Sequence, residues 1–170
     1  MAVKGNATAL HFLFSPPFHP GAWDRIVANA ELFVVRNAGR QFLGFADDQR
    51  KRLAGQKGSG KKGHRPELEQ EFGYDTKAAM HAIRLLGECR EVVETGRITL
   101  PRPEREFLVR IRAGEFSLQQ ILEIAERMKQ ACVEVERNST LADDADRERI
   151  SQLPAQVTRE HWDQRHPLSL

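Results

Sequence analysis

The chain has 170 residues, 40% of them hydrophobic and 29% charged, with a formal net charge of +2. That length and balance fit one folded domain and exclude a disordered chain. No apolar run approaches the roughly 18 residues that span a bilayer, and the start, MAVKGNATALHFLF, lacks the small-residue cleavage site of a signal peptide, so a cytoplasmic protein without a membrane partner is expected.

In chain order, Leu10 to Phe14 (LHFLF) is a short apolar run closed by Ser15-Pro16-Pro17, which reads as a buried strand with no obvious strand partner. From Trp23 to Val35, apolar residues Trp23, Ile26, Val27, Ala30 and Phe33 recur at spacings of three and four and predict one amphipathic helix. A second helix is marked by Phe42, Phe45, Ala46 and Leu53, with Gly55 as its stop. Gly55 to Arg65 (GQKGSGKKGHR) is too rich in glycine to hold regular structure and predicts a basic loop. Its GQKGSGKK nearly matches the phosphate-cradling G-x-x-x-x-G-K-[ST] pattern, but Lys62 stands where a hydroxyl must bind magnesium and no strand precedes it, so a P-loop is rejected.

Helices dominate thereafter. Asp75 or Thr76 can cap a helix running to Thr95, with Gly96 ending it. Pro101 and Pro103 hold Arg97 to Pro103 extended or turn-like, Glu104 to Ala113 is a short helix, and Ser117 with Gln120 forms a capping box before a long apolar stripe. Asp143 to Leu153 is a weaker helix, and Pro154 to Leu170 reads as a flexible tail.

Two features carry chemistry. Between Arg36 and Arg65 nine basic residues stand against Asp47 and Asp48, a local excess that suits an anionic partner, with Arg50, Arg52, Lys57, Lys61, Lys62 and Arg65 as candidate nucleic-acid contacts. The same run also reads as a solvated loop. On the Asp75–Thr95 helix, taking Lys77 as the origin, His81 falls at about 40°, Arg84 at about −20° and Glu88 at about 20°, opposite Ala79, Ala82, Ile83, Leu86, Cys89 and Val93. Lys77 lies in the first turn, where free amides and the helix dipole favour an anion, and Arg84 adds a bidentate fork. Tyr74 could stack on a base. The plainer alternative is a helix that needs a polar side, with Arg84 and Glu88 as an ordinary i,i+4 ion pair. Cys89 and Cys132 read as buried thiols, and no histidine pairs with a cysteine or carboxylate at a metal spacing.

These residues resemble a family, the predicted nucleotidyltransferases of the DNA polymerase beta superfamily associated with RNA ligase and RNA repair. Its members carry a GYDTKHAMHLIRLL-like block, which Gly73 to Leu86 (GYDTKAAMHAIRLL) matches except at Ala78 and Ala82. KGNATAL at Lys4 to Leu10, LFSP at 13 to 16, LPRPERE at 100 to 106 and IRAGEFS at 111 to 117 resemble further family segments in the family's order. The likeness does not bring the catalytic centre. Members begin with a Gly-Ser turn and paired aspartates on a strand that hold two metal ions, whereas Gly58-Ser59 has no D-x-D after it, Asp47-Asp48 and Asp143-Asp144 are adjacent pairs, and His11 stands where members tend to carry an acidic residue.

The resemblance therefore implies a mainly α chain, a bundle of five to six helices with one N-terminal strand left over from a missing α/β core. Residues 1–20 would be the remnant of that core, 21–153 the helical domain with the basic loop 55–65, and 154–170 the tail. The expected role is the C-terminal helical, substrate-binding part of a nucleotidyltransferase, inactive alone. Tyr74, Asp75, Lys77, His81 and Arg84 would hold substrate phosphate, nucleoside triphosphate and RNA would be partners, and Mg2+ would serve the full-length enzyme while this chain holds none. An unpaired strand exposes amides and carbonyls, so a catalytic partner chain or self-association is expected. The alternative is a non-catalytic RNA-binding module or accessory subunit.

Overall fold

A computed structural model describes residues 6–15, 21–54 and 65–165. Among these the chain is helical throughout: α1 (Ala7–Phe14), α2 (Ala22–Ala28), a 3-10 turn (Ala30–Leu32), α3 (Arg36–Leu53), α4 (Pro66–Phe72), α5 (Thr76–Thr95), α6 (Arg105–Arg112), α7 (Leu118–Arg137) and α8 (Arg147–Arg165). The expectation of a mainly α fold holds, with more helices than the five to six anticipated.

The strand expected at Leu10 to Phe14 is instead part of α1. The Asn6 side chain accepts from the Ala9 amide at 3.1 Å and starts the helix, and Ser15 donates its hydroxyl to the His11 carbonyl at 2.7 Å and ends it. Leu10 and Leu13, three apart, are buried while Phe12 stays 70% exposed, which is helical rather than strand alternation. A helix satisfies its own backbone, so the unpaired edge from which association was expected does not exist here.

The single helix expected from Trp23 to Val35 breaks at Asn29, whose side chain donates to the Arg25 carbonyl at 2.8 Å and competes with continuation of the helix. A 3-10 turn follows, and Val35, in extended conformation, leads into α3. Helix α4 was not anticipated. Pro66 opens it, Glu67 and Glu69 stand in its first turn, and Gly73 closes it in the left-handed region. Helices α5, α6 and α7 follow the expected bounds, including the Ser117–Gln120 capping box.

Helix α8 runs past Pro154, where the sequence suggested a tail from that residue on. An internal proline costs about 3 kcal/mol. Leu153 and Val157 offset it by burying themselves against Leu32, with Ala22, Ile26, Phe33 and Ile150 around them, and Arg25 pairs with Glu160 across the α2–α8 contact.

Helix α5 is the centre of the fold. It packs most extensively on α3, then on α7 and α6, while α2 bridges α1 and α8. Its apolar residues Ala79, Ile83, Leu86, Cys89, Val92 and Val93 meet Ala38, Phe42 and Ala46 of α3 and Ile121, Ala125 and Cys132 of α7 in one continuous core. The thiols of Cys89 and Cys132 donate to the carbonyls of Gly39 and Leu86 at 3.4 and 3.3 Å, so both are buried and satisfied as expected. No helix among the described residues is long and apolar enough to cross a membrane.

Candidate functional site

The GYDT segment lies at the junction of α4 and α5. Asp75 caps α5, its Oδ1 accepting from the amides of Lys77 and Ala78, both at 3.0 Å, while its Oδ2 accepts from Arg65 at 3.0 Å. The amides expected to cradle an external anion are thereby occupied by the protein's own carboxylate. Tyr74 is buried, and its hydroxyl donates to the Phe116 carbonyl at 2.6 Å; burial raises its phenol above the ordinary value. A ring held in the core cannot stack on a base, so Tyr74 is a structural residue. Thr76 is fully buried, and its hydroxyl accepts from Arg112 at 2.8 Å.

These bonds join two sequence blocks. Tyr74 and Thr76 of GYDT reach Phe116 and Arg112 of IRAGEFS, where Phe116 also packs edge-on against Phe107 with centroids 5.3 Å apart and lies under the Arg110 guanidinium. LPRPERE is likewise structural. Arg102, 9% exposed, forks onto Glu104 at 3.0 and 3.1 Å and pairs with Glu91 of α5. Burial would push the Glu91 carboxyl up, but hydrogen bonds from Thr99 and Arg102 hold it below its ordinary range.

The polar arc of α5 is present, but it is not uniformly solvated. Lys77 is exposed and His81 half-buried. Arg84 donates Nη2 to Nδ1 of His81 at 3.0 Å and Nη1 to Glu88 Oε1 at 3.2 Å. Arg84 has only donors, so the Nδ1 that faces it is unprotonated and the neutral ring carries its hydrogen on Nε2. Burial first, and the Arg84 charge second, lower the His81 pKa from its ordinary 6.5. Glu88 is completely buried, and Nε2 of His11 on α1 stands 3.0 Å from its second oxygen. That approach lacks the alignment of a hydrogen bond and becomes an ion pair only when the ring carries a second proton. The sequence offers no spacing that links His11 to Glu88, because the two lie on separate helices. Across this cluster Arg65, Lys77 and Arg84 oppose Asp75 and Glu88, so the positive excess is one charge before either histidine is counted.

The described basic candidates, Arg50, Arg52 and Arg65, form no cluster of free cations. Arg50 is held on Asp47 by two bonds of 3.1 Å, and Lys51 and Lys129 approach the same carboxylate at 2.7 and 3.2 Å. The Lys51 bond above all drives the Asp47 carboxyl far below its usual range. Arg52 is exposed, Arg65 is committed to Asp75, and Lys57, Lys61 and Lys62 lie outside the described residues. A shallow depression between α3 and α7 sets Glu123 and Glu126 against Arg50 over Leu118 and Leu122, a poor surface for a polyanion.

Carboxylates for a two-metal centre are not assembled among the described residues. Asp47 is enclosed by three cations, Asp75 is spent on a cap and Arg65, and Asp143 pairs with Arg36 at 3.3 Å. No group of three or more His, Cys, Asp or Glu side chains there could hold a metal ion.

No curated protein and no solved structure matches this chain. The model of the family RlaP, described as the RNA repair pathway DNA polymerase beta family, matches residues 1–168. Nearly the whole sequence is thus matched by one family model, and the chain belongs to the RNA repair pathway DNA polymerase beta family.

Proposed function

We propose that this chain is the helical, substrate-binding part of a nucleotidyl-transfer system acting in RNA repair, and that it holds a phosphate-bearing substrate, a nucleoside triphosphate or an RNA end, through Lys77, His81 and Arg84. The observation that carries this reading is the placement of these three side chains on one arc of α5, with Arg84 oriented by bonds to His81 and Glu88. Lys77 supplies an exposed point charge, His81 an Nε2 hydrogen, and Arg84 its remaining donors. Asp75 and Arg65 border the site and fix the start of the helix.

The metal ions implied by the superfamily do not fit the carboxylates described above. In this reading, the carboxylates that bind Mg2+ and perform transfer come from outside this chain, and the helical part alone is inactive.

Fluorescence anisotropy with a labelled single-stranded oligoribonucleotide, competed by inorganic tripolyphosphate, tests the reading. Lys77→Ala should weaken binding about tenfold, a charge-assisted hydrogen bond being worth roughly 1.5–3 kcal/mol, and should lower the salt slope by about one. Equal affinity of Lys77→Ala, Arg84→Gln and the parent chain would refute it. RNA binding that tripolyphosphate does not displace would favour an RNA-binding module over a nucleotide site.

A further inference from the structure

We propose that Glu88 is a built-in counter-anion that competes with the bound substrate anion for Arg84, and that protonation of His11 relieves this competition, so that α1 regulates the anion site of α5. The proposal rests on the reading of Lys77, His81 and Arg84 given above.

The geometry behind it is a single buried carboxylate shared by two different bases. Glu88 has no solvent exposure, whereas the side chains of Arg84 and His11 retain 27% and 25%. Its Oε1 takes Arg84 at 3.2 Å, long for a charge-assisted bond, and its Oε2 stands 3.0 Å from His11 Nε2 without a hydrogen bond between them. A buried carboxylate must have a cation. While His11 is neutral, Arg84 alone serves Glu88 and its charge is spent inward. Once His11 carries a proton, the carboxylate has a second cation, and the group of His11, Arg84 and Glu88 gains one net positive charge beside Lys77 and His81.

Several charged groups on the elements around α1 have partners elsewhere. On α2, Asp24 caps Gly21 and Arg25 pairs with Glu160. On α3, Arg36 pairs with Asp143, Arg40 with Glu136, and Asp47 with Arg50, Lys51 and Lys129. His81 also borders this arc, so its contribution must be separated from that of His11.

The experiment is a titration of the full chain with inorganic sulfate, whose charge is constant between pH 5.5 and 8.5, followed by NMR of the α5 amides and the histidine ring protons at fixed ionic strength. Sulfate affinity of the parent chain should rise on the order of tenfold from pH 8 to pH 6, the effect of one added charge a few ångströms away in a partly buried site. His11→Gln should lose most of that rise and His81→Gln only part of it. Glu88→Gln should bind on the order of tenfold more tightly at pH 8. A His11→Gln profile that superimposes on the parent overturns the proposal, as does a Glu88→Gln chain with native-like spectra that binds no tighter at pH 8. If Glu88→Gln does not fold, the His11→Gln profile alone decides. Binding that Arg84→Gln abolishes but His11→Gln leaves unchanged at every pH refutes only the regulation, whereas no sulfate binding by the parent at pH 6 refutes the underlying anion site as well.

Discussion

Replacing Gly114 by alanine probes the junction between α4 and α6. Gly114 closes α6 at φ +76°, and a Cβ built there would collide with the ring of Phe72, meeting Cδ1 and lying 2.6 Å from Cε1. Gly73 has nearly the same conformation, φ +79°, with nothing within 4 Å of its added Cβ. Gly73→Ala therefore costs only the left-handed conformation, about 1 kcal/mol. Gly114→Ala adds displacement of an aromatic ring packed at the end of α4, about 1–3 kcal/mol more, for a total of about 2–4 kcal/mol. For a chain of 170 residues, each kcal/mol lowers Tm by about 2–4 °C. Calorimetry should thus show a fall of about 3 °C for Gly73→Ala and about 10 °C for Gly114→Ala. Equal shifts in the two variants would refute the reasoning, since they would mean that Phe72 does not press on the α6 terminus. Phe72→Leu should recover part of the Gly114→Ala loss.

Tyr74→Phe removes the donor to the Phe116 carbonyl and should cost about 1–2 kcal/mol in urea denaturation, an unchanged midpoint meaning that water replaces the phenol. Arg102→Met strands Glu91 and Glu104 without their shared cation and should cost about 3 kcal/mol; Arg102→Lys, which keeps the charge but not the fork, should fall between, as read from the same denaturation curves. For His81, the folded pKa lies below the ordinary 6.5, so the folded chain binds this proton less readily than the unfolded one. Its contribution to stability is therefore fully present above pH 6.5 and is lost as pH falls through the folded value. Melting temperatures measured from pH 8 to pH 5 should decline on the acid side, and His81→Gln should flatten the decline; an unaltered slope would place the acid sensitivity elsewhere.

How far the fold could be read in advance followed from how local the determining interaction is. The ends of α5 and α7 are written in Asp75, Gly96 and the Ser117–Gln120 box, because a cap bonds to amides two or three residues away. Leu10 to Phe14 was misread because a five-residue apolar run carries too little period to separate strand from helix, and Asn6, the residue that settles it, lies outside the run. Helix α8 continues past Pro154 only because Leu153 and Val157 find Leu32, more than a hundred residues earlier. Helix α4 was missed because its short apolar pattern is hidden between a glycine-rich segment and the stronger α5 signal.

The candidate site divides in the same way. That Lys77, His81, Arg84 and Glu88 share one arc of α5 is a property of helical geometry, and the sequence alone determined it. What becomes of that arc was decided by the tertiary structure. The fold buries Glu88 completely and brings His11 of α1 to it, the turn after α6 draws Tyr74 into the core, and Asp75 fills the helix terminus that an external anion would have used. Helical angle depends on the position of a residue in its own segment, whereas burial and charge pairing depend on which distant segment covers it, and the spacing of residues along one helix carries no information about that.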